Sequence, residues 1–257
     1  MQTHKNTACL PSILIVTIAL LVSASVGGAV TITNYSVADA QIFGGPGFTN
    51  ANRGAQGTMA VGDVGAGTDD RPLLRFSLAN IPAGQTIQSA TLRLTIDSTG
   101  GGGQHTNDFY RLVASWVEGN GVTGTGSGTS GVTWDSRDKA GTLANWTVPG
   151  ASGSGTDRAA SPSFTVLPSD ITGSVLLKDA TTDVQAWYTG SAANNGWLIQ
   201  AQNYTGGSGR FTAYDTKEVP GGADALIPAL FITYVPEPTT TALIGLGGLL
   251  WLRRRRS

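Results

Sequence analysis

The chain has 257 residues, of which 36 are Gly and only 13% are charged, with a formal net charge of −1. This composition argues against a helix-rich enzyme and favours many short strands joined by turns, with room for one all-β domain of about 200 residues. Between Val30 and Val235 the chain carries 11 Lys and Arg against 16 Asp and Glu. Such an acidic body argues against a nucleic-acid binder.

Residues 30–235, which we call the body, contain no cysteine and one histidine. Cys9 is the only cysteine and precedes the N-terminal apolar run, so the body has neither a disulfide nor a lipid-attachment cysteine. His105 is the only histidine outside the N-terminal segment, which excludes a His-rich zinc site. It lies beside the glycines 100–103, where we expect a solvated loop histidine rather than a positioned catalytic base.

Residues 1–29 have the layout of a secretory signal peptide. A polar stretch with Lys5 is followed by an apolar run and then by small residues. The small residues permit cleavage by signal peptidase after either Ala24 or Ala29, and the sequence leaves both open. The apolar run of about ten residues is short of the ~20 that a membrane span needs. We therefore expect an exported protein.

The body, residues 30–235, shows the alternation of half-buried strands. From Ser89 to Asp97 apolar residues occupy every second position, and Leu74, Phe76 and Leu78 alternate with polar neighbours just before it. These patterns predict a two-sheet antiparallel β-sandwich, jelly-roll-like in form. Further strands are expected at Tyr110–Val117, Gly196–Gln202, Phe211–Asp215 and Ala229–Tyr234. The predicted interior comprises Leu74, Phe76, Leu92, Leu94, Val113, Trp187 and Leu230.

One short helix is expected to interrupt the strands. Thr182 and Gln185 have the spacing of a capping box, which would define the start of the helix, and Gly190 would stop it. A helix of two turns does not stand alone in water. We therefore expect Trp187 to pack it against the end of a sheet.

The last 22 residues, 236–257, combine three features in order. Pro236-Glu237-Pro238 is followed by a 14-residue apolar stretch and then by Arg253, Arg254, Arg255 and Arg256. This order resembles the PEP-CTERM sorting signal of Gram-negative bacteria. The resemblance implies recognition and cleavage by an exosortase near Pro-Glu-Pro, and release to the cell surface or extracellular matrix. Because the stretch is short for a span and the Arg block opposes translocation, we expect transient inner-membrane retention through this helix alone.

The body itself resembles DNRLRE (disaggregatase-related) domains over roughly residues 38–234. The pieces that carry the resemblance are Asp70–Phe76, Ile81–Gly84, Ile87–Leu94, Trp116–Gly119, Val132–Trp134, Trp146, Asp183–Trp187, Asn195–Trp197 and Pro228–Leu230. The resemblance implies a β-sandwich of the kind found with polysaccharide-degrading enzymes, some members being carbohydrate-binding modules with affinity for acidic polysaccharide. The chain differs by having no attached catalytic domain and by Arg71-Pro72 in its opening.

Candidate binding residues combine aromatic rings with planar cations, because sugars stack on aromatic faces and their hydroxyls or carboxylates accept from guanidinium groups. Trp134 and Arg137 lie together in one loop, and Trp146 follows. A core role for Trp134 and for Trp146 stays open. Arg75 and Arg93 project from strand faces opposite their apolar neighbours and are candidates for reading an acidic polymer, with solvated strand arginines as the alternative.

The sequence offers candidate residues for two further kinds of site. Asp63, Asp69 and Asp70 flank a Gly-rich turn and could supply oxygen ligands to a structural calcium, although their spacing matches no defined calcium loop. No other cofactor is expected. A hydrolase needs two carboxylates facing one cleft, and Glu118 and Glu218 are the only glutamates of the body.

The sequence therefore predicts an exported, non-catalytic surface or matrix protein that binds extracellular polysaccharide. The first alternative is a structural biofilm or envelope component without a saccharide ligand. The second alternative is a polysaccharide-active lyase or hydrolase, with His105 as the only histidine base available to a lyase.

Overall fold

The computed structural model describes residues 28–65, 67–101, 105–122, 128–203, 207–222 and 224–236. All but the last two residues of the predicted secretion signal, and all but the first residue of the predicted sorting segment, lie outside these ranges. Residues Gly28–Glu237 form one compact unit. In the described part of the chain, no helix has the length and apolar character that crossing a membrane requires.

The described residues contain ten strands and one helix, as the sequence predicts for an all-β domain with a single short helix. In chain order they are β1 (Val30–Phe43), β2 (Thr58–Gly62), β3 (Asp70–Phe76), β4 (Thr86–Gly100), β5 (Asn107–Arg111), β6 (Phe164–Val166), β7 (Val175–Asp179), α1 (Thr181–Tyr188), β8 (Trp197–Ala201), β9 (Phe211–Asp215) and β10 (Ala229–Val235).

All pairings between these strands are antiparallel, and six strands close a ring in the order β1, β10, β4, β9, β2, β3 and back to β1. β7 pairs with β4, whereas β8, β5 and β6 extend the ring beyond β3. The ring has the form of a β-sandwich. We call sheet I the one that contains β10 and β7, and sheet II the one that contains β9, β2, β3, β8, β5 and β6.

Two long strands belong to both sheets. The first half of β1 pairs with β10 in sheet I, and after a register shift between Ser36 and Ala38 its second half pairs with β3 in sheet II. β4 likewise leaves β10 and β7 and pairs with β9, with a register shift between Ile96 and Ser98. Such irregularities bend a strand and increase its local twist, which lets one strand pass from one sheet to the other.

The main core lies between the two sheets and confirms six of the seven predicted interior residues. The buried ones are Leu74, Phe76, Leu92, Leu94, Trp187 and Leu230. The seventh prediction is wrong, because Val113 is 48% exposed. β5 ends at Arg111, two residues before it, and the Val113 N–H bonds the carbonyl of Asp157 rather than a neighbouring strand.

A second core lies on the outer face of sheet II. The described residues between 112 and 160, which are 112–122 and 128–160, contain no named strand. They fold over this face and bury Leu73 of β3 and Leu198 of β8. We call residues 112–160 the covering segment. Its own contributions to the second core are Leu112, Trp116, Val132, Trp146 and Ala151, with Ala114 and Trp134 packed alongside.

The helix α1 is anchored by aromatic packing, as predicted, but not by the predicted capping box. Its N-cap position is Ala180, with no side-chain cap hydrogen bond. The carboxylate of Asp179 instead accepts the N–H and the hydroxyl of Thr181. The ring of Trp187 lies 4.5 Å from that of Trp197, whose indole N–H donates to the buried Asp183. The N-cap therefore lies two residues before the predicted Thr182, and the helix begins at Thr181.

Candidate functional site

A cavity of about 200 Å³ opens where the end of β2 meets the end of β8. Its lining residues are mostly polar, and the two faces come from parts of the chain that are about 100 residues apart. The lining comprises Gly62, His105, Thr106, Ala201, Gln202, Asn203, Ser208 and Arg210. Volumes of ~300–1,000 Å³ are typical of drug-sized ligand sites, so this cavity suits one small polar unit such as a single sugar ring.

His105 is the residue that the sequence interpretation misjudged. Rather than a solvated loop histidine, it is half-buried, and both ring nitrogens are shielded from solvent without a hydrogen bond of good geometry. Burial lowers its pKa, and the charge of Arg210 lowers it further, against a weaker opposing effect of the Val61 backbone. The imidazole is therefore neutral at physiological pH and can both donate and accept a hydrogen bond.

The floor of the cavity depends on Gly62. Its φ of +110° lies in a region that side chains rarely adopt, and a Cβ there would collide with the Arg210 carbonyl and lie 3.2 Å from the His105 ring. Only glycine therefore allows the imidazole and the Arg210 backbone to approach β2 this closely.

Arg210 is positioned by a buried carboxylate that the sequence assigned to another role. The Asp63 N–H bonds the carbonyl of Arg210, and Asp63 Oδ2 accepts from Gly209 N at 3.3 Å. Burial acts to raise the pKa of Asp63, but backbone N–H groups of Gly209, Gly65, Gly207 and Ser208 together hold it below the usual value. Asp63 therefore stays ionised and fixes the turn that carries Arg210.

The opposite wall is held by the ends of β5 and β8. Gln202 donates its backbone N–H to the carbonyl of Thr106 at 2.8 Å and its side-chain Nε2 to Asp108 Oδ1 at 2.9 Å. The backbone bond continues the pairing of β5 with β8 by one residue, up to the edge of the cavity. The wall presents amide and hydroxyl groups to the cavity. Among the described lining residues there is no carboxylate.

The predicted binding residues Trp134 and Trp146 both pack into the second core. Trp146 is 4% exposed, and its indole N–H donates to the Thr133 carbonyl at 2.9 Å, so it offers no open face to a sugar. The Trp134 ring is half-buried against Gly44 and Gly150, where a Cβ would lie 2.5 and 2.6 Å from it. The guanidinium of Arg71 lies over the same ring at 4.6 Å, so little of it remains for a ligand.

The three predicted binding arginines are separated from one another and from the cavity lining. Arg137 donates to the carbonyls of Ala144 and Ser115 within the covering segment. Arg75 lies over the buried ring of Trp116 at 5.2 Å on the outer face of sheet II. Arg93 lies over Phe231 on sheet I and donates to the carbonyls of Asp224 and Ile227. Each of the three guanidinium groups therefore contacts neighbouring groups of the protein.

The three aspartates predicted to bind calcium do not share a site. Asp63 accepts from backbone N–H groups beside the cavity, and Asp69 forms a buried ion pair with Arg71. Asp70 Oδ2 accepts from the Val64 N–H and the Thr68 hydroxyl, at 2.9 and 3.0 Å. Burial raises the pKa of Asp70 to about 6. Oδ1 of Asp69 and Oδ1 of Asp70 are buried without a hydrogen-bond donor. Among the described residues, however, the three aspartates do not form a group whose ligand oxygens all lie within 4.8 Å of one another. A calcium ion on these residues stays a prediction.

The two glutamates considered for a hydrolase do meet. Glu118, Glu218 and Asp39 each place one carboxylate oxygen within 4.8 Å of the others. Lys217 forms ion pairs with both glutamates. These residues do not line the cavity described above, so the carboxylate pair and the polar cavity are two separate features.

Two parts of the chain match models of known protein families. Residues 30–148 match the model of carbohydrate-binding module family 96, which covers one wall of the cavity, with Gly62, His105 and Thr106. The body is similar to a carbohydrate-binding module. The match covers less than half of the chain and ends before the second wall, which is formed by Ala201, Gln202, Asn203, Ser208 and Arg210. No curated protein matches the chain.

The C-terminal residues 235–256 match the PEP-CTERM protein-sorting motif. This confirms the predicted sorting segment, and with it the predicted location. The protein is exported, held transiently at the membrane and then delivered to the cell surface. The motif also implies processing by an exosortase.

Proposed function

We propose that this exported surface protein is a non-catalytic binder of extracellular polysaccharide, and that the cavity of His105 and Arg210 receives one sugar unit of the polymer. The observation that carries the proposal is a polar cavity on a body that is similar to a carbohydrate-binding module. The DNRLRE resemblance of residues 38–234 supports the same function.

The lining favours a sugar that carries a carboxylate. Arg210 supplies the only cationic side chain among the described lining residues. Guanidinium groups bind carboxylates with two parallel N–H donors. Neutral His105 with the amides of Gln202 and Asn203 supplies partners for hydroxyl groups. Because the body as a whole is acidic, binding of an anionic polymer depends on this local positive charge.

A lyase is the second candidate, and one observation favours it. His105 has two unbonded ring nitrogens and a lowered pKa, which suit a general base, and Arg210 could neutralise the carboxylate beside the proton to be removed. Hydrolysis receives less support, since a glycosidase acts through two carboxylates at the substrate and none lines this cavity.

Affinity electrophoresis tests the proposal on residues 30–235, which lie within the compact unit. Gels containing an anionic polysaccharide rich in uronate should retard the protein more than gels containing its neutral counterpart. Arg210→Gln and His105→Gln should lose most of the retardation. Arg93→Gln, which removes the same charge from sheet I, is the matched control and should retain it.

The same samples separate the alternatives. Retardation by no polysaccharide would contradict the proposal and favour a structural envelope component. Release of unsaturated oligosaccharides that disappears in His105→Gln would replace binding with a lyase activity. Equal retardation of Arg210→Gln and Arg93→Gln would move the binding site away from the cavity.

The sorting segment leads to a second proposal, on processing. We infer that an exosortase cuts near Pro236-Glu237-Pro238 while Arg253–Arg256 remain in the cytoplasm, because four charges oppose passage through the bilayer. Mass spectrometry of the protein recovered from the cell surface should find a C-terminus near Pro238. Recovery of chains that end at Ser257 would contradict this.

A further inference from the structure

Three carboxylates meet at a place away from the cavity. Asp39 comes from β1, Glu118 from the covering segment and Glu218 from the turn after β9. One oxygen of each lies within 4.8 Å of one oxygen of the other two. The fold thus assembles this group from three segments, and we call it the carboxylate cluster.

Two buried oxygens of the carboxylate cluster have no hydrogen-bond donor. They are Oδ1 of Asp39, a residue that is only 1% exposed, and Oε2 of Glu218. The other Asp39 oxygen accepts from the Ser36 hydroxyl and the Lys217 N–H, both at 3.1 Å. A buried carboxylate oxygen without a donor costs free energy, and a bound cation removes that cost.

The charge of the carboxylate cluster is only partly balanced. The ammonium of Lys217 lies 2.9 Å from Glu118 Oε1 and also pairs with Glu218. When all three acids are ionised, one ammonium leaves two negative charges uncompensated. A divalent cation would balance the surplus charge.

We propose that Asp39, Glu118 and Glu218 bind a calcium ion, and that the ammonium of Lys217 takes the place of the cation until calcium binds. All ligand atoms are oxygens, which hard cations prefer. Calcium accepts irregular sets of oxygen ligands, whereas magnesium demands a near-ideal octahedron and gives up its water ligands reluctantly, so three carboxylates from three separate segments favour calcium.

The position of the ion gives it a structural role. It would join β1 of the ring to the start of the covering segment and to the turn after β9. Glu118 already accepts the Asp39 N–H at 2.7 Å, so calcium would reinforce an existing contact between the covering segment and sheet II. This role is independent of the polysaccharide cavity.

Calorimetric titration and thermal melts of residues 30–235, freed of metal with a chelator, test the proposal. Calcium chloride should bind at one ion per chain and raise the melting temperature, and magnesium chloride at equal ionic strength should have a smaller effect. Glu218→Gln should weaken calcium binding by about tenfold or more, because affinity follows the charge of the ligand set. Asp224→Asn, at an exposed acid elsewhere, is the matched control and should bind as the wild type does.

Lys217→Met distinguishes a calcium site from an ordinary ion-pair group. Removal of the competing ammonium should strengthen calcium binding and enlarge the calcium-dependent rise in melting temperature. The proposal would be overturned by a wild type and a Lys217→Met variant that neither bind calcium nor melt differently with it. Equal affinities of Glu218→Gln and Asp224→Asn would also overturn it. If Glu218→Gln is unfolded by circular dichroism, Lys217→Met decides alone, and an unchanged or weaker affinity contradicts the proposal.

Discussion

The outer faces of the two sheets differ in what covers them. On sheet II the covering segment buries Leu73 and Leu198 completely. On sheet I, Val175 and Leu177 of β7 are 53% and 61% exposed. The sequences of the strands reflect this difference, because β3 is buried at six of seven positions whereas β4 alternates between buried and exposed over its first half. A strand without alternation indicates that both of its faces are covered.

The largest expected effect comes from adjacent leucines of β3 that point to different cores. Leu73→Ala and Leu74→Ala should each lower the free energy of unfolding by about 2–5 kcal/mol, because both side chains are fully buried. Leu177→Ala on sheet I should change it by less than about 0.5 kcal/mol. Urea unfolding measures all three. A Leu73→Ala variant as stable as Leu177→Ala would show that the covering segment does not form a second core.

The two sheets should also differ in their response to pH. Burial raises the pKa of Asp70 in sheet II to about 6, so its protonated form stabilises the fold fully below about pH 4, and this contribution is lost as the pH rises through 6. The Thr181 hydroxyl and N–H lower the pKa of Asp179 in sheet I, so its contribution is present above its unfolded pKa and is lost as the pH falls.

Unfolding of Asp70→Asn and Asp179→Asn between pH 4 and 7 measures this difference. In the wild type, ionisation of Asp70 should lower the free energy of unfolding by at most about 3 kcal/mol as the pH rises, given 1.36 kcal/mol per pKa unit. Asp70→Asn should abolish this decrease. Asp39 and Asp215 also have raised pKa values, so the free energy of unfolding of Asp70→Asn should still depend on pH, but less than that of the wild type. Superimposable pH profiles for the wild type and Asp70→Asn would contradict the assignment.

A smaller effect is expected at the anchor of the covering segment. The carboxylate of the buried Asp157 accepts the N–H groups of Thr147, Val148 and Gly153. Asp157→Ala leaves these donors without partners and should cost about 1–3 kcal/mol. Amide hydrogen exchange should accelerate at these three residues and leave β4 protected. Unchanged exchange in the covering segment would contradict its dependence on Asp157.

The smallest effect is expected at Arg93 of sheet I. Its guanidinium lies 5.4 Å from the Phe231 ring at a partly exposed position, and such contacts are worth about 0.5–1 kcal/mol. Arg93→Ala should therefore unfold at nearly the wild-type urea concentration. A loss of several kcal/mol would mean that sheet I depends on this arginine as strongly as the second core depends on its leucines.

The sequence predicts several of the paired strands better than it predicts the covering segment. The alternation from Ser89 to Asp97 lies within β4, and the predictions for β9 and β10 agree with the structure to within one residue. For the covering segment there is no period to read, since its burial comes from packing onto sheet II rather than from strand pairing. Extending the β5 alternation into this segment therefore placed Val113 inside.

The candidate site was not predictable from local pattern. Its walls come from β2, the residues before β5, the end of β8 and the turn before β9, and only the fold brings them together. The single histidine of the body was the available signal, but neighbouring glycines suggested a mobile loop. Tryptophan beside arginine indicated a sugar-stacking loop, whereas Trp134 and Trp146 pack into the second core.

Mapping of a bound ligand by NMR tests the central claim most directly. A uronate oligosaccharide titrated into residues 30–235 should shift the amide signals of Gly62, Thr106 and Gln202, and the His105 ring signals with them. The indole signals of Trp134 and Trp146 should stay in place. Shifts confined to Trp134 and Arg137, with the cavity signals unmoved, would contradict the assignment of binding to the cavity.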